Sequence, residues 1–143
     1  MSDERALGAA PPPDARRSLV LATRTAVEHV VALFLLGGAF VVWARLMGLS
    51  LFGASFAEAS VEMRIVLALG AGLLPLAALG MWLGEVWGRV LWLFAVAAHV
   101  TALFSGWFPP TTGALVLGFH VVSLALFVAV EIVVLLDARR KLG

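Results

Sequence analysis

Glu28, His29, His99, His120 and Glu131, with Arg24 one helical turn before Glu28, are ionisable side chains set inside long apolar runs. Each demands a reason, because Asp, Lys or Arg at the centre of a bilayer-spanning helix costs at least about 2.5 kcal/mol. Arg24 and Glu28 stand at i and i+4 and can pair along one helix face. Counted inward from the ends of the runs, Glu28 and His29 lie about one turn inside one boundary, and Glu131 lies at the same level in the last run. Arg24, Glu28, His29 and Glu131 therefore form a candidate polar cluster. Its chemistry is either a proton or cation site opening to the cytoplasm or a hydrogen-bonded clasp between the first and last helices. His99 and His120 fall at a second level, roughly 18–20 Å from the same face at about 1.5 Å per residue. Two neutral imidazoles on adjacent antiparallel helices at one depth could ligate a haem iron. The plainer expectation is that they hydrogen-bond across the helices with Thr101, Ser123 or a backbone carbonyl.

The elements that must position these residues are set by composition. The chain has 143 residues, 62% hydrophobic and only 13% charged, with a mean hydropathy of +1.04. A soluble domain carries about 45–50% apolar and about 25% charged residues, so this is the composition of an integral membrane protein of one compact unit. The net charge of +1 excludes nucleic-acid binding by bulk charge. Cysteine is absent, which removes disulfides and thiolate-held metal centres. Arg16-Arg17-Ser18-Leu19 faintly resembles a twin-arginine signal, but Arg24, Glu28 and His29 interrupt the apolar run behind it, and a retained span is expected. The chain shows no P-loop, G-x-S-x-G or H-E-x-x-H motif.

Four spans are expected, at about residues 25–47, 63–83, 86–107 and 113–136, each long enough to cross roughly 30 Å of hydrocarbon. Pro75 should bend the second, and Pro109-Pro110 should end the third. Residues 1–17, with three consecutive prolines, are expected to be a disordered tail, and 139–143 a basic one. Residues 48–62 are too short to span and suit a segment lying in the interface. Eight of the ten basic residues fall on the side that carries both termini, so the positive-inside bias makes both termini cytoplasmic. The expected fold is an all-α four-helix transmembrane bundle, N-in and C-in.

Gly80-Met81-Trp82-Leu83-Gly84-Glu85-Val86-Trp87-Gly88-Arg89-Val90-Leu91-Trp92 is the hinge of this plan, a tight turn at the membrane surface with tryptophans around it. Ala95, His99, Ala102 and Gly106 on the third span, and Ala68 and Gly72 on the second, are expected to let helices approach closely. The five tryptophans are expected mostly in the interfacial belt.

Trp43-Ala44-Arg45-Leu46-Met47-Gly48, Leu74-Pro75-Leu76-Ala77-Ala78-Leu79-Gly80-Met81-Trp82-Leu83 and Glu85-Val86-Trp87-Gly88-Arg89-Val90-Leu91-Trp92 together resemble a family of small alphaproteobacterial inner-membrane proteins of unknown function. The resemblance spans roughly residues 28–125 and implies fold and location without an activity. It also implies that an acidic residue often stands at the His99 position, so haem ligation there would not be a family feature. The leading functional expectation is a non-enzymatic accessory or scaffold subunit of an envelope complex, with the bilayer, a larger complex or further copies of itself as partners and no cofactor. The alternatives are a b-type haem protein through His99 and His120, and a small proton-coupled transporter using Glu28 and Glu131.

Overall fold

The computed structural model describes residues 13–50, 55–106 and 110–140, and over them the chain is four packed α-helices. They are α1 (Pro13–Leu46), α2 (Val61–Trp82), α3 (Val86–Phe104) and α4 (Pro110–Arg140). Each contains a stretch long and apolar enough to cross a membrane: Ser18–Leu46, Val61–Trp82, Val86–Phe104 and Gly113–Leu136. Sequence neighbours pack as neighbours, and α4 returns to close the ring against α1. The bundle thus brings the start of α1 and the end of α4 to one face, here called the terminal face.

Proline sets two starts that the sequence placed elsewhere. α1 begins at Pro13, so residues 13–17, expected in the disordered tail, are helical. Pro110, expected only to stop the third span, opens α4. The cause is the same at both: a fixed φ and a missing N–H are harmless in a helix's first turn. α4 also runs on through Arg140, taking two residues from the expected basic tail. The disorder expected of residues 1–12, and Trp107, lie outside the described residues. α2 continues as helix through Pro75.

The α2–α3 connection is the tightest part of the molecule. Gly84 has φ +70, and the N–H groups of Gly84 and Glu85 donate to Met81 O and Gly80 O at 3.1 and 3.0 Å. This is the glycine-terminated helix end in which a left-handed residue satisfies the last carbonyls. Gly48 closes α1 the same way. At the other end of α2, the Ser60 side chain caps by accepting from Met63 N at 3.3 Å. Immediately beside the turn, Gly80 and Gly88 face each other, and a Cβ on either would overlap the other's backbone. Absence of side chains at these two positions is what lets α2 and α3 touch backbone to backbone.

Val31, Ala32, Leu35 and Ala39 of α1, Leu74, Ala77, Ala78 and Met81 of α2, and Trp92 and Ala95 of α3 form the core. Trp92, expected in the interfacial belt, is instead among the most deeply buried side chains and packs edge-on against Phe127. Ala68 and Gly72 are exposed rather than at a seam, because α2 turns its Leu74–Ala78–Met81 face inward. Gly106 lies in the turn after α3 with φ +73 and is not on the Ala95–Ala102 helix face.

Candidate functional site: an ionic clasp and a histidine pair

Two polar layers lie inside the bundle. The first is at the terminal face. Glu28, 4% exposed on α1, is the centre of it. Its Oε1 accepts from Arg89 Nη2 at 2.9 Å and from Arg24 Nε at 3.4 Å. Arg24 then reaches α4, its Nη2 lying 3.1 Å from Glu131 Oε1. Arg89 also donates from Nη2 to Gly84 O at 3.1 Å and holds its guanidinium 5.7 Å over the Phe127 ring. One carboxylate is thereby tied to α3, to the α2–α3 turn and, through Arg24, to α4. Two positive and two negative groups balance, which is the condition for burying charge at all.

Three of the four residues expected in this cluster meet: Arg24, Glu28 and Glu131. His29 does not join them. One residue further round α1, it stacks on the Trp82 ring at 4.3 Å between centroids, and its Nε2 lies 3.3 Å from Trp82 O. A carbonyl can only accept, so Nε2 carries the proton there. Arg89 is the member that sequence reasoning missed. Glu85 is the acid nearest to it in sequence, whereas the close Gly80–Gly88 crossing carries it to Glu28 of α1.

The second layer is ten residues further along α3 and eleven along α4, about 15 Å deeper. His99 Nδ1 and His120 Nε2 are 2.9 Å apart, with the rings roughly parallel at 28°. The expected common depth of these two histidines is therefore met, but their polar contact is with each other. Ser123 Oγ turns back to its own helix, donating towards Phe119 O and His120 O at 2.8 and 3.2 Å. Thr101 is exposed. His120 packs edge-on to Phe34 and Phe119, and its Nδ1 is buried without a hydrogen-bond partner.

This pair does not fit a haem. Axial imidazoles must sit on opposite faces of the macrocycle, whereas these are in direct hydrogen-bond contact. The cavity beside them, lined by Val100, Leu103, Val116 and Leu117, is about 10 Å³, room for one water. Among the described residues no group of three or more His, Cys, Asp or Glu side chains is arranged to hold a metal ion.

Over residues 24–138 the sequence matches a family described as a family of unknown function, DUF6163. The chain belongs to that family. The DUF6163 match begins at Arg24 and takes in both polar layers whole, from the clasp to the histidine pair. It is wider than the stretch of 28–125 over which the sequence resemblance was drawn. No curated protein matches the chain, and no solved structure does.

Proposed function

We propose that this DUF6163 protein is a non-enzymatic accessory or scaffold subunit of a larger envelope complex in the bacterial inner membrane, with both termini cytoplasmic. The basic residues concentrated on the terminal face support the orientation. The observation that carries the functional reading is the way α4 is held. It has the most apolar span of the four and the least buried one. Its buried residues among those described are Gly113, His120 and Ser123, which are small or polar. Among the described residues its attachments include the Arg24–Glu131 ion pair, the His99–His120 hydrogen bond and ring contacts of Phe119 and Phe127. A helix fixed to its own bundle by a few polar points leaves most of its surface for other helices, where van der Waals fit governs association.

The test is mild-detergent extraction from native membrane followed by mass spectrometry, with photo-crosslinking residues at Val128, Ile132 and Leu135, which are exposed and do not line the α1–α4 seam. A discrete adduct with one other membrane protein, formed from these positions and not from Leu69 on α2, is the expected result. Repeated recovery of the chain alone overturns the reading.

One observation favours proton-coupled transport through Glu28 and Glu131 as a second reading. Arg89 Nε, Trp92 Nε1 and His120 Nδ1 are buried without hydrogen-bond partners, on helices that run from the clasp to the histidine pair. In proteoliposomes this reading requires uptake driven by a pH gradient and lost in Glu28→Gln; absence of uptake across a broad substrate panel rejects it.

A further inference from the structure

The α1–α4 seam contains a groove of about 230 Å³ that neither polar layer uses. Its walls are Thr23, Ala26, Val27 and Val30 of α1 and Val122 and Leu126 of α4, with Phe119 and Ser123 at its deep end. It follows α1 from Thr23 to Val31, about 12 Å, and is lined by apolar surface alone. Val30 and Val122 are exposed, so the groove opens sideways out of the bundle. Within a bilayer the medium at such an opening is hydrocarbon, and a cleft of this length accommodates a stretch of one acyl chain.

The charge at one end of the groove selects among lipids. Arg24 and Glu131 mark its terminal-face end, and there they are balanced by Glu28 and Arg89. Phe34–Phe119 and Arg24–Glu131 set α1 and α4 antiparallel, so the start of α1 and the end of α4 belong to this face. The sequence of the first turns of α1 carries Arg16 and Arg17, and the last turn of α4 carries Arg140 and the exposed Arg139. Asp14 and Asp137 are the acids in the same turns, leaving the arginines in excess. A surplus of arginine in the sequence of two helix ends, one or more turns beyond a chain-sized cleft, is complementary to an anionic lipid.

We propose that the α1–α4 seam binds one anionic phospholipid, its chain in the groove and its phosphate among the arginines at the terminal face. The site is independent of the protein-partner reading, since it lies between α1 and α4 and not on the outward side of α4.

Native mass spectrometry of the full chain, in mixed micelles holding equal phosphatidylglycerol and phosphatidylcholine of matched chains, tests it. One phosphatidylglycerol is expected to be retained, with a preference of about tenfold or more over phosphatidylcholine. Ala26→Trp, which fills the groove, should abolish retention of both lipids, while Leu69→Trp on α2 should leave it unchanged. Arg139→Gln with Arg140→Gln, exposed changes that leave the groove intact, should reduce the preference about tenfold and keep chain binding. If Ala26→Trp fails to fold, Val122→Trp fills the same space from the other wall. Equal retention of the two lipids, retention of neither, or phosphatidylglycerol held undiminished in the filled groove each overturns the proposal.

Discussion

The α2–α3 hairpin and the attachment of α4 solve the same problem in opposite ways. Lipid tails are as apolar as leucine, so burying hydrocarbon gives helices in a membrane little reason to associate. At the hairpin the answer is steric: Gly80 and Gly88 present bare backbone to one another, and Gly84 reverses the chain within three residues. At α4 the answer is polar: an ion pair at one depth and an imidazole pair at another, with an open groove beside them. The first arrangement is rigid and tolerates no added atom. The second is a set of separable points, each worth little, and it leaves α4 the member of the bundle best placed to rearrange or to serve another protein.

The largest effect should come from the steric side. A valine at Gly88 would place its Cβ inside the backbone of Gly80 and Met81, where no flexible side chain can yield. Gly88→Val should lose about 3 kcal/mol of stability against detergent- or heat-induced unfolding, at the upper end for overpacked sites. Gly118→Ala, in α4 with nothing near its Cβ position, is the matched control and should be within about 0.5 kcal/mol of wild type. Equal tolerance of both changes would remove the contrast between the two regions.

Glu28 joins the two regions, because it binds Arg89 beside the hairpin and Arg24 on the way to α4. Glu28→Gln keeps the shape and removes the charge, leaving Arg24 with Glu131 alone and Arg89 with no anionic partner among its contacts here. A loss of about 2–3 kcal/mol is expected, less than for a fully buried pair because both arginines are partly exposed. Adding Arg89→Gln should recover part of it, with a coupling energy of about 1–2 kcal/mol in the double-mutant cycle. Zero coupling would mean that the 2.9 Å contact does not bind the hairpin to α1.

Much of this was legible from the residues. Four apolar runs gave the four helices, because every backbone group in hydrocarbon must be satisfied within its own segment. Counting at a fixed rise put His99 level with His120, and Glu28 level with Glu131, and both pairs do fall in shared layers. What could not be counted was direction around the helix axis. His29 differs from Glu28 by one position, about 100° of rotation, and faces α2 instead of the clasp. Arg89 escaped notice for a related reason. Its reach to α1 depends on how closely α2 and α3 cross, and the sequence shows the glycines without showing that Gly80 meets Gly88. Trp92 was assigned to the interface by residue type, whereas its place on the inward face of α3 is set by packing. The helix starts at Pro13 and Pro110 have a readable signal, proline at a first helical position, but Pro11-Pro12-Pro13 reads equally as a disordered tail and Pro109-Pro110 as a helix stop.

The histidine pair should matter less than the clasp. His99→Leu strands His120 Nε2 beside an Nδ1 already without a partner, and about 1–2 kcal/mol should be lost. Replacing both residues by leucine should recover most of this, since two apolar groups of similar size leave nothing buried and unpaired. A double variant worse than His99→Leu alone would give the pair a role beyond holding α3 to α4.

The smallest global effect belongs to the point where α4 meets α1. The side chains of Arg24 and Glu131 are 23% and 33% exposed, so water competes for this pair, and Glu131→Gln should cost no more than about 1 kcal/mol. Its local effect should be larger than its global one. Arg24 stays anchored to Glu28 through its Nε, so the substitution frees α4 while leaving α1, the turn and Arg89 in place. Hydrogen exchange in detergent should therefore quicken along the terminal-face half of α4, residues 126–136, and stay unchanged in α2 and α3. Exchange that quickens equally in all four helices would mean that α4 is as integral to the bundle as the hairpin, and the contrast between rigid and separable attachment would fail.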